Sequence, residues 1–520
     1  MTQGGDSDRE TWPSTFFAEG LLAIDLLEVG PPRLYANRLA VPYRTHRGGR
    51  TDAIELLFSY EEPVFDPSDV SYQNLAAMIA VQPALNYGLF CRTIRFHGLF
   101  DRADRRFIYQ MMENTSREIW VNKLLRPNPF LVLPSDTLPP EKPRRFTQAG
   151  IEFSMPWREG VRSGRAWKTD PTRHAVLSSG GKDSLLTYGL LAETGLEVHP
   201  VFVNESGRHW FTALNAYRHF RREIPNTARV WTNADRVFNW FLRHFPFVRE
   251  DFASVRSDQY PIRLWTVAVF LFPALPLLKK RGIGRLLIGD EHDTTVRGRF
   301  RNISHYCGLY DQSRYFDAAM SRYFSAKGWA VVQFSILRPL SELLIEKILV
   351  ERYPELQALQ VSCHAAHLDG NRVKPCGRCE KCRRIVGMLV ALGADPAHCG
   401  YSPAQVEQCL LDLERKPVHQ ERAAAQEMLF LLQSRGAIHS MAAAPRLEPA
   451  PEVLKLRFHP ERSPMRCIPE ELRPQVFRKM LQHARGAVRW RQGRWEEFDP
   501  MREPDFASAE DRPGRVPSQG

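Results

Sequence analysis

The tightest constraint on what this chain can become is a passage of about twenty residues. His174-Ala175-Val176-Leu177-Ser178 reads as a buried strand; it runs at once into Gly180-Gly181 and then into a helix from Ser184 to Thr194. A short apolar run with no polar alternation is covered on both faces. Further strand-like runs follow at 197–203, 228–231, 285–289 and 330–334, separated by helical stretches. Strands alternating with helices argue for a parallel sheet with helices on both sides. The predicted fold class is therefore α/β, a parallel-sheet α/β/α sandwich of Rossmann-like layering.

The turn inside that unit has the chemistry of a phosphate cradle. It reads Ser178-Ser179-Gly180-Gly181-Lys182-Asp183-Ser184. Two glycines permit backbone angles that other residues resist, so that successive amides can face one anion. The helix start adds free N–H groups and the positive end of its dipole. Ser179 and Ser184 can donate hydroxyl hydrogen bonds, and Lys182 adds a point charge. Asp183 is anionic and suits a magnesium or capping ligand. The spacing is not that of a Walker loop.

Ligands of open parallel sheets gather at the carboxyl ends of the strands. Two such ends are chemically loaded. One strand closes on Asn204-Glu205. Another closes on Gly289-Asp290-Glu291-His292-Asp293, where three carboxylates and an imidazole could bind magnesium or move protons. Arg297 and Arg299 follow, with the geometry to meet phosphate or carboxylate.

Four of the nine cysteines fall within twenty residues: Cys363, then Cys376, Cys379 and Cys382. Four thiolates at this spacing suit tetrahedral zinc in a closed, structural site; His364 and His367 are alternatives to Cys363. The N-terminus is polar and acidic, unlike an export signal, which points to a reducing cytoplasm rather than disulfides. The apolar run 264–278 contains Pro273 and Pro276 and is too short to span a bilayer, so a buried helix is expected and no membrane partner. A net charge of +12 favours anionic partners. Nucleic acid is admitted but not favoured, because no segment carries an unbroken basic run.

At 520 residues the chain should hold two or three domains. The expected divisions are a flexible N-terminus over 1–30, an N-terminal α+β substrate domain over 31–165, and a nucleotide domain over 170–400 that includes the cysteine subregion 360–390. A helical C-terminal extension over 401–499 and a disordered tail over 500–520 complete them.

The six residues 179–184 match the Ser-Gly-Gly-x-Asp-Ser signature of the PP-loop ATP pyrophosphatase superfamily, which this chain resembles. The resemblance implies that ATP is the substrate, that the loop grips pyrophosphate, and that a substrate carboxylate is adenylylated. With the cysteine pattern ending in Arg384, residues 174–390 resemble 7-cyano-7-deazaguanine synthase, a nitrile-forming enzyme. Over most of its length the chain is similar to the MurL-type epimerase of bacterial peptidoglycan precursors. The pieces that carry this are Leu85-Asn86-Tyr87-Gly88, Glu118-Ile119-Trp120-Val121-Asn122-Lys123, the loop, Gly289-Asp290-Glu291 and the cysteines. Asp258-Gln259-Tyr260-Pro261-Ile262-Arg263 departs from that family's pattern. An epimerase would need a base on each face of the reacting carbon, and Asp290, Glu291 and His292 are the candidates. A deazaguanine-type nitrile or amide synthesis, a tRNA-modifying reaction, and a sensor or tRNA-binding module without turnover are the alternatives.

Overall fold

The computed structural model describes residues 20–132, 142–155, 166–205, 207, 209–255, 260–416, 418–438 and 448–502. Residues 1–19 of the expected flexible start, 503–520 of the expected tail, 258–259 of the departing segment and 442–447 of an Ala/Pro linker lie outside the described residues.

The N-terminal region contributes β1 (Ile24–Val29), β2 (Arg33–Tyr35), β3 (Arg38–Arg47), β4 (Arg50–Tyr60), β5 (Cys91–Phe96) and β6 (Gly150–Phe153). The region that follows contributes β7 (Asp170–Leu177), β8 (Glu197–Glu205), β9 (Ala228–Thr232) and β10 (Ile283–Leu287). After a small hairpin of β11 (Gly298–Phe300) and β12 (Ile303–His305) comes β13 (Val332–Phe334). The large strands join into one mostly parallel sheet, ordered β13-β10-β7-β8-β9-β4-β3-β1-β5-β6, with β2 beside β3. β4 pairs antiparallel with β9, Tyr60 opposite Val230. The expected boundary near residue 165 is therefore not a break in the sheet: the N-terminal strands extend the one that carries the glycine loop.

Helices cover both faces of the parallel part, and the strand residues show it. Ala175, Val201 and Leu286 belong to one apolar cluster, with Leu271, Leu275 and Leu278. Their neighbours Val176, Phe202 and Leu287 belong to a second, with Leu185, Phe220 and Leu344. Successive side chains of a strand point to opposite faces, so each strand is buried twice. The apolar run 264–278 is buried but broken. It forms helices Val267–Leu271 and Leu275–Arg281 around a 3-10 turn, Phe272–Ala274, because prolines at 273 and 276 cannot continue the helical bonding. Among the described residues no helix is long and apolar enough to cross a membrane.

Beyond the sheet, helices Glu380–Leu392, Pro403–Leu413 and Arg422–Ser434 pack with the four-cysteine segment in a third apolar cluster. Within that segment β14 (His367–Asp369) and β15 (Arg372–Lys374) form a hairpin. The expectation of a purely helical extension over 401–499 is corrected at its far end. There β16 (Leu456–Phe458), β17 (Ala487–Arg491) and β18 (Arg494–Glu497) make a three-stranded sheet beside helix Arg473–Leu481. The cause is local: Gln492 and Gly493 both take positive φ, 49° and 82°, which is the geometry of a two-residue hairpin turn.

Candidate functional site

β7 delivers the loop and the helix Lys182–Ala192 receives it, with Gly181 at the cap. Gly180 has φ +71°, and a Cβ there would lie 2.7 Å from the Ala213 backbone, so no other residue type fits without displacement. Ser184 Oγ donates to the Gly181 carbonyl at 3.0 Å, and Ser178 Oγ lies 3.4 Å from Ser184 Oγ. The loop closes on itself in this way, while Ser179 is exposed and Asp183 half-buried. Lys182 is buried. Its Nζ meets Asp183 Oδ1 at 2.7 Å and Glu342 Oε1 at 3.1 Å. Burial works against its charge, but Asp183 and Glu342 outweigh it, and the ammonium is held above the ordinary lysine pKa.

The loop opens into a cavity of about 1180 Å³. That is more than one drug-sized ligand usually occupies, since such pockets run to about 1,000 Å³. Asn204 and Glu205 at the end of β8 line it, as do Gly289, Asp290, Glu291 and Asp293 beyond β10. Asn204 Oδ1 and Glu205 Oε1 are buried without hydrogen-bond partners. Burial raises the Glu205 pKa, opposed by Arg263, 3.8 Å away.

The acidic segment is divided in its roles. Asp290 is held from behind by the fully buried Arg338, whose Nη2 reaches Asp290 Oδ2 at 3.4 Å and Asp317 Oδ2 at 2.6 Å. Burial nonetheless pushes Asp290 well above the usual carboxylate range. Burial and the charge of Asp183 do the same to Glu291. Asp293, with Oδ1 unpartnered, is pushed up to about 7 by burial, then by Glu421 and Glu342. These three carboxylates line the same cavity as Asp183 of the loop.

Three sequence candidates are placed elsewhere. His292 is fully buried and turned from the cavity: its Nδ1 meets Ser463 Oγ at 2.9 Å, and burial depresses its pKa well below the usual value. Asp290, Glu291, Asp293 and Thr294 line the cavity while His292, at the start of a 3-10 turn, does not, so the imidazole fastens this segment to Ser463. Arg297 lies over the rings of Tyr306 and Tyr315, and Arg299 is exposed in β11; neither lines the cavity.

Other cavity residues carry no local sequence signal. Glu342 stands 160 positions after Lys182, too far for spacing to connect them. It reaches the loop only through the fold, which packs helix Glu342–Arg352 against helix Lys182–Ala192. Arg126, Glu421, Arg422 and Arg462 also line the walls and are scattered along the chain in the same way.

The N-terminal motifs act as fasteners of the cavity walls. Asn86 Oδ1 accepts from the amides of Leu264 and Trp265 at 3.0 and 2.9 Å. Glu118 accepts from those of Tyr306 at 2.9 Å and Gly308 at 3.1 Å. The segments so held contribute Tyr260, Val267, Cys307 and Leu309 to the cavity.

Cys363, Cys376, Cys379 and Cys382 bring their sulfurs within 4.8 Å of one another, a cluster that could hold a metal such as zinc. Three Sγ–Sγ separations are 3.5, 3.9 and 3.9 Å. A tetrahedron with Zn–S bonds of about 2.3 Å has edges of about 3.8 Å. Backbone amides of Ala365 and Cys376 point at Cys363 Sγ, and that of Arg378 at Cys376 Sγ, which favours thiolates. Cys363 supplies the fourth position, and His367 is exposed in β14. Of the other cysteines, Cys91, Cys399 and Cys409 are buried.

No family model matches the chain, and no curated protein matches it.

Proposed function

We propose that this chain is an ATP-dependent enzyme of the PP-loop type that adenylylates a small-molecule carboxylate, releasing pyrophosphate and then AMP. The observation that carries the reading is the loop 178–184 at the carboxyl end of β7, opening with Lys182 and Asp183 on a cavity roomy enough for two ligands. In this reading the substrate carboxylate attacks the α-phosphorus, the bond to the bridging oxygen breaks, and pyrophosphate leaves into the loop. The helix amides and Lys182 hold its charge. Asn204 and Glu205 face the nucleotide. Asp183 and Asp293 are the carboxylates that would hold magnesium, and Asp293 Oδ1 lacks any other partner. Magnesium bound there would neutralise phosphate charge, and it commonly uses one or two carboxylates plus phosphate oxygens. Zinc in the four-cysteine cluster is assigned a structural role, because four protein ligands leave no open position.

For the acceptor, the specific proposal is epimerisation of the glutamate of a peptidoglycan precursor, as in the MurL-type enzymes. It is supported by the N-terminal motifs around Asn86 and Glu118, which build the acceptor side of the cavity. With His292 turned away, Asp290 and Glu291 are the candidate bases that remain on the cavity. The test is AMP and pyrophosphate release with UDP-MurNAc-L-Ala-L-Glu and with a panel of other carboxylates. Asp183→Ala should abolish AMP formation with the fold intact. ATP binding without AMP from any carboxylate would overturn the reading in favour of a sensor.

A further inference from the structure

Glu342 joins two parts of the molecule that the chain keeps far apart. Its Oε1 receives Lys182 Nζ from the loop at 3.1 Å, and Arg384 Nε stands 3.5 Å from the same atom. Glu342 is 5% exposed and Lys182 4%, so solvent does not dilute the contact. Arg384 belongs to helix Glu380–Leu392, whose cap is Cys379 and whose first turn contains Cys382. Both are members of the metal cluster. The same helix holds the opposite wall: Glu380 accepts from the His419 amide, and Arg384 donates to the His419 carbonyl. His419 and the residues after it line the cavity.

We propose that Glu342 and Arg384 are positioning residues that tie occupancy of the four-cysteine centre to the loop's affinity for nucleotide. This rests on the reading that 178–184 binds the phosphates of ATP. A carboxylate oxygen can serve two cations. While Arg384 shares Glu342, the hold of Glu342 on Lys182 is divided, and the ammonium can turn to a phosphate oxygen. When the centre is empty, the first turn of the helix loses its anchor and Arg384 withdraws. Glu342 then keeps Lys182 for itself, and the cavity has lost a cation. Both changes weaken phosphate binding.

The test uses the full chain, with ATP affinity measured by calorimetry beside zinc content and thermal midpoint. Arg384→Met should retain one zinc per chain while losing about tenfold in ATP affinity, the scale of one charge-assisted hydrogen bond. Chelator-stripped wild type should lose a similar factor, and stripping Arg384→Met should add little. Adding Glu342→Gln to Arg384→Met should recover part of the loss, which a merely structural role would not produce. Unchanged ATP affinity in zinc-loaded Arg384→Met, or a further loss with Glu342→Gln, overturns the proposal; this arm decides even where stripping unfolds the chain. A zinc-loaded wild type that binds no ATP at all would instead bring down the functional reading on which the proposal rests.

Discussion

Gly289 follows β10 where the glycine loop passes closest to it at Asp183, and replacing it with alanine tests whether that close approach matters. A methyl group there would stand 2.7 Å from the carbonyl carbon of Asp183, 2.8 Å from its Cβ and 2.9 Å from its oxygen. To reach ordinary contact the loop must retreat by about 0.7 Å, and the obstruction is mostly backbone, which cannot rotate aside as a side-chain tip can. Overpacking of this kind costs about 1–3 kcal/mol of stability. Displacing groups at a reacting centre by about 1 Å costs up to roughly 100-fold in rate. Gly289→Ala should therefore lower the urea midpoint and reduce AMP formation by one to two orders of magnitude. Gly150→Ala is the control, because its methyl would meet only the Arg92 carbonyl at 3.7 Å. Equal stability and equal activity in the two variants would refute the claim that the loop is seated on Gly289.

Two further outcomes follow from buried charge. Arg338→Met should strip Asp290 and Asp317 of their shared cation, costing about 3–5 kcal/mol, and is read as a lowered unfolding midpoint. Glu346 is fully buried with Oε1 unpartnered, and burial pushes its pKa up to about 7, above the ordinary 4.5. Its folded state thus prefers the neutral acid: the associated stability is complete below about pH 4.5 and is lost as pH rises through 7. Glu346→Gln should stabilise the chain by about 3 kcal/mol at pH 8 and by nothing near pH 4, measured by urea unfolding across that range.

The parallel core is legible in the sequence because its strands are short apolar runs that alternate with helical stretches. The glycine loop and the cysteine cluster are legible because each lies within a few consecutive positions or a short spacing. What is hidden depends on long-range contact. Glu342 meets Lys182 from 160 positions away, and Arg457 on β16 binds both oxygens of Glu421, the cap of helix Arg422–Ser434, at 2.8 and 2.6 Å. His292 misleads because a strand-end imidazole among carboxylates has the composition of an active site, while its direction is set by Ser463, far along the chain. The Gln492-Gly493 turn is a local signal that the helical expectation passes over, since glycine in the second position of a two-residue loop marks a hairpin.

The seam between β4 and β9 has a consequence for synthesis on the ribosome. Tyr60 and Val230 are partners separated by 170 residues. At about 5–20 residues per second, β4 waits roughly 10 to 30 s for β9 to be made. During that interval the nascent N-terminal sheet presents a bare edge of N–H and C=O groups, the kind of template on which other chains pair. Slowing translation between residues 60 and 230 would prolong that exposure, and a chaperone that shields strand edges would matter most over the same stretch.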